Sequence, residues 1–255
     1  MMDPRAIVAS WYAGDRVLIY GHRGASAYAP MNTIPAFELA VEQGADAIEL
    51  DVHLTHDGHL IIVHDFTVDH TTDSTGTVTE KTLNELKALD AGSWFDERFA
   101  GTRLPTLTEV FEAVGQRLYI NVEIKSLSVE DDSTEEAVIA CIKQQQMGER
   151  VIISSFNPHV LKRTRTLAPE IALGYLLAPS TLNEASHTII TPQDYEALHL
   201  YHGMVDAQQI AFAREHDLIV NCWTVNEAEV AQSLVAQGVR GIMSDYPDVM
   251  KQTLT

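Results

Sequence analysis

The chain of 255 residues is long enough to form one large domain, and its 45% hydrophobic and 21% charged residues are typical of a globular protein. A formal net charge of −19 argues against a nucleic-acid-binding protein, because such proteins hold the phosphate backbone with clustered lysine and arginine. The sequence has no apolar run long enough to span a membrane, no secretory signal pattern and only two isolated cysteines, so we expect a cytoplasmic protein without stable membrane association, a disulfide framework or a zinc site.

The first predicted strand covers residues 17–22, VLIYGH, and ends at the tripeptide His22-Arg23-Gly24. Alternation along a strand directs His22 to the same side as Leu18 and Tyr20. A helix should follow, with Asn32 or Thr33 as its N-cap and its end near residue 44.

The next segment, residues 46–65, reads DAIELDVHLTHDGHLIIVHD and predicts two strands joined by a turn. Glu49 and Asp51 stand two positions apart in an otherwise apolar run, so a strand directs both carboxylates to one face. A solvent-exposed sheet face is the alternative explanation for such a pair.

The dipeptide Asp57-Gly58 favours a two-residue type I′ turn within this segment. That turn would pair His56 with His59 and would place His64 opposite Asp51. The register therefore predicts that an imidazole and the two carboxylates converge.

Residues 66–105 change to a composition rich in Thr, Asp, Ser and Gly, with one helical segment near residues 81–89. We interpret this stretch as a small insertion within a single domain that covers residues 1–255. A loop-like insertion of this length inside a compact domain is usually functional.

Helices and strands alternate through the remainder of the chain. Predicted helices at 107–114, 134–147, 158–167, 205–216 and 227–237 are interleaved with predicted strands at 118–125, 151–155, 171–177, 196–200, 218–223 and 241–244. With the first two strands, the count of eight predicts an α/β fold of the closed (β/α)8 TIM barrel type, with the insertion after its second strand. An open doubly wound sheet is the alternative, but the first strand is not followed by a glycine-rich phosphate loop.

Five candidate residues fall at the carboxyl ends of three predicted strands, where barrels of this type carry their active sites. They are His22, Glu49, Asp51, Glu123 and Lys125. In the third strand, LYINVEIK, Glu123 and Lys125 share one face with Asn121. Three strands should therefore direct acids and bases into one mouth.

These residue types suit a metal-assisted reaction on a phosphate ester. The carboxylates of Glu49, Asp51 and Glu123 favour a hard cation such as Mg²⁺ or Ca²⁺. With Arg23 and Lys125 the empty site carries a charge of −1, and one divalent ion changes it to +1, the sign that holds a phosphodiester.

Two histidines could serve as general acid and base, because an imidazole titrates near neutrality. They are His22 and His64. Arg23 and Lys125 fit the phosphate oxygens.

Several spaced motifs together resemble the glycerophosphodiester phosphodiesterase family. They are GHRGASAYAPMNT, AIELDVHLTHDGHLIIVHD, DAGSWF, VEIK, WTVN and SDYPD, and they extend over residues 17–250. The resemblance implies a (β/α)8 barrel that hydrolyses glycerophosphodiesters to an alcohol and sn-glycerol 3-phosphate.

Residue by residue, the family's features fall on the positions already selected. The resemblance implies catalytic histidines at His22 and His64, metal carboxylates at Glu49, Asp51 and Glu123, phosphate contacts at Arg23 and Lys125, and an aromatic wall of the glycerol pocket at Trp223. One departure is Met31, which stands where the family usually has glutamate.

Three other functions remain open at this point. A lysophospholipase of the C or D kind would use the same barrel, although we see no apolar lip in the sequence. A non-catalytic barrel that binds a metal or phosphate metabolite would be expected to lack one of the candidate residues. A sugar isomerase gives no reason for His22-Arg23-Gly24. The preferred alcohol and the oligomeric state do not follow from the sequence.

Overall fold

A computed structural model of the protein describes residues 3–130, 133–180 and 189–255. The strands are β1 (Leu18–His22), β2 (Ala47–Leu54), β3 (Leu60–Ile62), β4 (Tyr119–Ile124), β5 (Val151–Ser155), β6 (Ala172–Leu177), β7 (Ala197–Tyr201), β8 (Ile219–Trp223) and β9 (Gly241–Ser244). The helices of the described residues are α1 (Pro4–Trp11), α2 (Ile34–Glu42), α3 (Leu83–Ala88), α4 (Leu107–Val114), α5 (Thr134–Gln144), α6 (Pro158–Leu167), α7 (Ala207–Glu215), α8 (Ala228–Gln237) and α9 (Pro247–Leu254).

Eight parallel strands close into a barrel. The order around it is β1, β9, β8, β7, β6, β5, β4 and β2, and β2 pairs with β1 to complete the ring. This topology confirms the predicted (β/α)8 barrel and excludes the open sheet. The connection between β6 and β7 includes residues 181–188, which lie outside the described residues.

The predicted register of the hairpin is wrong by one residue. Strand β3 pairs antiparallel with β2 so that Leu54 lies opposite Leu60 and Val52 opposite Ile62. The connection is therefore longer than two residues, and within it Gly58 has a φ of +78° whereas Asp57 does not adopt a positive φ. A longer hairpin loop with a left-handed glycine replaces the predicted two-residue turn.

Strict alternation along the strands separates the two sides of the barrel wall. Ile48, Leu50 and Val52 of β2 pack outward against the helices, in the same cluster as Val122 of β4. Inward positions of the same strands carry the carboxylates. Because the period of a strand is two, the prediction of which side chains share a face is correct.

Local capping explains where several helices begin. Thr106 and Glu109 form a capping box at the start of α4, and Thr82 and Glu85 form another at the start of α3. Each box satisfies two backbone N–H groups that the first turn leaves without partners. At α2 the N-cap is Thr33. None of the helices in the described ranges has the length and apolar character needed to cross a membrane.

Helix α1, which the sequence did not predict, covers the amino-terminal end of the barrel. Ile7, Val8 and Trp11 pack against inward-facing residues such as Tyr20 and Met243. The Trp11 ring stacks on Tyr119 with 4.4 Å between ring centroids, and its indole N–H donates to the Glu149 carbonyl. This end of the barrel is therefore closed by apolar packing.

A polar layer crosses the barrel interior above α1. His199 is fully buried, with Nδ2 of Asn221 3.2 Å from its Nε2 and Nδ2 of Asn121 3.4 Å from its Nδ1. Asn221 also accepts a hydrogen bond from Tyr12, whose hydroxyl lies 2.7 Å from that of Tyr20. Burial lowers the pKa of His199 to about 3, so the folded protein holds this imidazole neutral.

The stretch at residues 66–105 packs on the outside of the hairpin. Val68, Val78 and Leu86 form a small apolar cluster with Ile61 and Val63. Its apolar contact with the barrel is made through β3 and the residue that follows it, and polar contacts such as that of Lys87 with Glu109 of α4 add to it.

We predict that Trp11→Ala lowers the free energy of unfolding by about 3–5 kcal/mol, because it removes a fully buried indole and leaves a cavity. The measurement is urea denaturation of the wild type, this variant and Trp94→Ala, whose indole is 39% exposed. The Trp94 variant should lose much less stability. Equal losses in the two variants would show that α1 does not contribute the packing described.

We also predict a pH-dependent stability that originates at His199. The unfolded chain binds a proton at a pKa near 6.5 and the folded chain only near pH 3, so the contribution is present above pH 6.5 and is lost as the pH falls toward 3. Between pH 7 and pH 5 the wild type should lose about 2 kcal/mol more than His199→Gln. Equal losses in urea titrations at the two pH values would contradict this origin.

Candidate active site

Three buried carboxylates meet inside the carboxyl-terminal end of the barrel. Glu49 and Asp51 extend from β2 and Glu123 from β4, and the strand register places Asp51 directly opposite Glu123. Glu49, Asp51 and Glu123 are 4%, 1% and 7% exposed, respectively. One oxygen from each lies within 4.8 Å of the others, which is close enough for a single cation to contact all three.

Two basic side chains border the carboxylates. Lys125 Nζ donates to Glu123 Oε1 at 2.8 Å and lies 3.5 Å from Asp51 Oδ1. Arg23 Nε lies 3.5 Å from Asp51 Oδ2. The five side chains that the sequence assigned to the charge balance are therefore neighbours, and Asp51 lies between the two cationic groups.

Burial and the neighbouring charges shift the pKa values of the three acids in opposite directions. Burial, reinforced by the other carboxylates, raises the pKa of Glu49 well above its ordinary value and that of Glu123 to about 7. Burial acts in the same direction on Asp51, but Lys125 and Arg23 outweigh it and lower its pKa to about 2. A divalent cation among the three would relieve the repulsion that opposes ionisation of Glu49 and Glu123.

The donor set fits a hard cation. All three candidate ligands offer carboxylate oxygen, and Asp51 Oδ1 is buried without a hydrogen-bond donor among the described residues. The Lys125 ammonium, 3.5 Å away, is the positive group nearest to this oxygen, and a cation among the carboxylates would add a direct ligand contact to it.

Backbone geometry directs Arg23 toward this cluster. Its φ is +57°, and its N–H donates to the Glu49 carbonyl at 3.0 Å and to Glu49 Oε2 at 3.1 Å. Gly24 follows at φ +87°, where a Cβ would lie 2.6 Å from the backbone of Ala36 in α2. The glycine of the His-Arg-Gly motif is thus required by the close approach of helix and turn.

Met31, which stands where the family usually has glutamate, contacts Arg23 directly. The guanidinium Nη1 lies 3.4 Å from the Met31 sulfur, and Arg23 Nε has no hydrogen-bond partner within the described parts of the chain. A thioether is only a weak acceptor, so Arg23 keeps most of its capacity to bind an anion.

His22, at the end of β1, lies beside the carboxylates. Its Nε2 is 4.0 Å from Glu49 Oε2, and its Nδ1 is 2.7 Å from Asp245 Oδ1. Sequence reasoning included Asp245 in the SDYPD motif but assigned it no role. The contact joins residues 223 positions apart, and only barrel closure brings them together.

His64 also reaches the site, although not by the predicted pairing. Val63, rather than His64, bonds to Asp51, through its N–H and the Asp51 carbonyl. The backbone after β3 brings the His64 ring back toward the cavity, with its Nδ1 2.7 Å from Asp65 Oδ1. Burial lowers the pKa of His64, although the nearby Asp51 opposes that shift.

A cavity of about 40 Å³ connects these groups. Both histidines, Arg23, Glu49 and Glu123 line one part of it, and apolar side chains that include Phe156 and Trp223 line the rest. Trp223 packs edge-on against Phe156, and its indole N–H donates to the His199 carbonyl at 3.0 Å. Trp223 thus presents an apolar ring surface close to the charged cluster.

Asn32 does not take its expected role as a helix cap, and Asn121 lies outside the charged cluster. Asn32 has a φ of +58°, and its side-chain amide donates to Asp51 Oδ2 at 2.8 Å instead of capping α2. Its position before a helix gave no signal of this contact. Asn121 shares the face of Glu123 but lies deeper, beside His199.

Exposed apolar side chains follow the ends of several strands, where the sequence gave no indication of an apolar lip. Leu127 and Val129, after β4, are 81% and 65% exposed. Tyr201, at the end of β7, is 37% exposed and packs edge-on against Trp223. Through Tyr201 and Trp223, apolar surface therefore extends from the cavity to the outside.

Comparisons with known proteins agree with the motifs. The model of the glycerophosphoryl diester phosphodiesterase family matches residues 22–249. A glycerophosphodiester phosphodiesterase of Caldanaerobacter subterraneus subsp. tengcongensis is 42% identical, over 92% of this chain and 96% of that protein.

Solved structures give the same result for the fold and the family. A phosphodiesterase of Oleispira antarctica, solved with the product sn-glycerol-3-phosphate, superposes with a TM-score of 0.85 at 33% identity and covers 92% of this chain and 96% of its own. A putative glycerophosphoryl diester phosphodiesterase of Silicibacter pomeroyi has a TM-score of 0.84 at 27% identity and covers 97% of both chains. The chain belongs to the glycerophosphoryl diester phosphodiesterase family.

Proposed function

We propose that the protein hydrolyses glycerophosphodiesters to an alcohol and sn-glycerol 3-phosphate at the carboxyl-terminal mouth of the barrel. The observation that carries the proposal is the buried cluster of Glu49, Asp51 and Glu123 with a histidine on either side. The product bound to the Oleispira antarctica relative supports the same substrate class.

Glu49, Asp51 and Glu123 would hold one divalent cation, Mg²⁺ or Ca²⁺. The bound cation would polarise phosphate oxygens and lower the pKa of a coordinated hydroxyl. Asn32 supports the ligand set, because its amide fixes Oδ2 of Asp51, whereas Oδ1 accepts no hydrogen bond among the described residues and has the Lys125 ammonium 3.5 Å away.

Arg23 and Lys125 would bind the phosphate oxygens. Each also balances Asp51 in the free protein, so the substrate meets cationic groups that are already oriented. Trp223 would pack against the carbon skeleton of the glycerol, since its indole N–H is already bonded to the barrel wall.

His22 and His64 would transfer the protons. One histidine would remove the proton from the attacking hydroxyl, either the glycerol 2-hydroxyl or water, and the other would protonate the departing alcohol. The glycerol hydroxyl as nucleophile would give a cyclic phosphate that water then opens, whereas direct attack by water would not.

Lysophospholipids are a second candidate substrate class. The exposed Leu127 and Val129 and the Tyr201–Trp223 contact favour it, because they offer apolar surface to an acyl chain next to the site. The charge of −19 opposes binding to anionic membranes, so this activity would concern single lipid molecules or zwitterionic micelles.

Residues 1–255 would form a single domain, with residues 66–105 as a subregion packed on β3. Cytoplasmic location remains a prediction from the sequence, and both cysteines are free thiols, as a reducing compartment would favour.

We predict that purified protein releases sn-glycerol 3-phosphate from glycerophosphocholine and glycerophosphoethanolamine in the presence of Mg²⁺ or Ca²⁺. Excess chelator should abolish release, because the carboxylates alone leave a negative site. An enzymatic assay of glycerol 3-phosphate gives the measurement for the two diesters. Lysophosphatidylcholine is the parallel substrate, and its turnover is measured by the release of choline or phosphocholine.

Faster turnover of the lysolipid than of either water-soluble diester would favour the second candidate. Product formation that chelator does not reduce would contradict the metal site. No product from any of these substrates with either cation would leave the non-catalytic binding barrel as the better explanation.

We further predict that His22→Ala and His64→Ala each lower kcat by about 10²–10⁴-fold, the usual contribution of a general acid or base. Cation binding, measured by isothermal titration calorimetry, should change little, because neither imidazole belongs to the carboxylate triad. Asp51→Asn is the contrasting variant and should weaken cation binding. A histidine variant that keeps most of its kcat would remove that residue from the proposed chemistry.

A further inference from the structure

We propose that Asp245 is a positioning residue that holds His22 in a single tautomer, with hydrogen on Nδ1 and a free lone pair on Nε2. This inference rests on the proposed function, because it assigns a role to His22 in the same reaction. It is drawn from hydrogen bonds that converge on one carboxylate behind the imidazole.

Asp245 is held on both oxygens. Oδ1 lies 2.7 Å from His22 Nδ1 and accepts a 2.8 Å hydrogen bond from the Ser26 hydroxyl. Oδ2 accepts a 2.7 Å hydrogen bond from Asn226 Nδ2. Burial opposes ionisation, yet these three contacts lower the pKa of Asp245 to about 2, so the group is an acceptor at neutral pH.

Asn226 cannot reverse its amide without losing other bonds. Its Oδ1 accepts from the Ser244 hydroxyl at 3.0 Å and from the Asp245 backbone N–H at 3.0 Å. With the oxygen fixed by two donors, the NH₂ group must point at Asp245. The Asp245 side chain therefore always faces a donor on its Oδ2 side.

The tautomer of His22 follows from this arrangement. An ionised carboxylate only accepts, so the ring nitrogen beside it must carry hydrogen. In the neutral imidazole the other nitrogen, Nε2, then has a lone pair, and it lies on the side of Glu49 and the cavity. In this tautomer His22 presents a proton acceptor, not a donor, to the cavity.

The carboxylate beside His64 has an exposed imidazole, not an amide, on its second oxygen. Asp65 offers one oxygen to His64 Nδ1 and the other to Nδ1 of His70, whose side chain is 82% exposed. Asp65 is also a carboxylate that only accepts, so His64 Nδ1 carries hydrogen as well. The two histidines thus share a tautomer, but only the carboxylate beside His22 is held by an amide whose orientation other hydrogen bonds fix.

Asp245→Asn tests the proposal, because Asn226 determines how the introduced amide turns. The oxygen of the introduced amide must face the Asn226 NH₂ group, which leaves the introduced NH₂ group toward His22 Nδ1 and forces hydrogen onto Nε2. We expect kcat for glycerophosphocholine to fall by about 100-fold or more while KM changes by less than about 3-fold, because the ring remains but its proton is on the wrong nitrogen.

A double exchange, Asp245→Asn with Asn226→Asp, should restore the tautomer. One oxygen of the carboxylate introduced at position 226 would accept from the amide NH₂ group at position 245, and the other would keep the two donors now held by Asn226. The amide oxygen at position 245 would then face His22 Nδ1. Net charge equals that of the wild type, and we expect kcat to recover at least about 10-fold relative to the single variant.

The direct readout is ¹⁵N NMR of histidine-labelled full-length protein with Mg²⁺, in which the imidazole shifts identify the tautomer and His22→Asn assigns the signal. Asp248→Asn is the matched control: it removes the same charge three residues away, where the carboxylate bonds only to Tyr28 among the contacts described. We expect it to leave the His22 tautomer and kcat unchanged.

Several results would overturn the proposal. Asp245→Asn could retain the Nδ1–H signal, or the double exchange could restore the tautomer without any recovery of kcat. An equal loss of kcat in Asp248→Asn would show that the loss in Asp245→Asn results from the change in net charge. Absence of wild-type turnover would count against the proposed function alone, since the NMR signals test the tautomer without substrate.

Discussion

Electrostatic repulsion among three buried carboxylates is the constraint around which the candidate site is organised. Glu49, Asp51 and Glu123 are almost completely buried within contact distance of one cation, an arrangement that no fold tolerates without compensation. Arg23 and Lys125 supply part of that compensation from neighbouring strand ends. The remaining negative charge is the reason why we propose a cation site here and not a structural salt bridge.

The barrel can hold this unfavourable cluster because the residues that stabilise the fold and the residues of the candidate site lie at different levels along the barrel axis. At the amino-terminal end, α1 and inward-facing aromatic residues form an apolar core. A neutral polar layer around His199 lies above it, and the charged residues lie at the opposite end. Outside the wall, a continuous hydrophobic layer holds strands against helices. The charged residues are thus concentrated at the carboxyl-terminal end of the barrel, where loop sequences can change without loss of the hydrophobic core.

Sequence reasoning identified the barrel, most element boundaries and the faces of β1, β2 and β4, because these depend on periodicity and spacing. It failed where placement depends on backbone detail or distant contacts. The hairpin connection is longer than Asp57-Gly58 suggested, so His64 reaches the site by a bend rather than by pairing. Asn32 looked like a helix cap, and Asp245 gave no local signal, because their partners are 19 and 223 residues away. Helix α1 was missed, since its apolar face is short.

The cap formed by α1 has a consequence for the flow of molecules. With Trp11 and its neighbours filling the lower barrel, nothing can pass through the molecule from one end to the other. The substrate diester would enter and both products would leave through the same opening of the barrel. A product that dissociates slowly would block the next substrate molecule, so the rate of product release would contribute to the turnover rate.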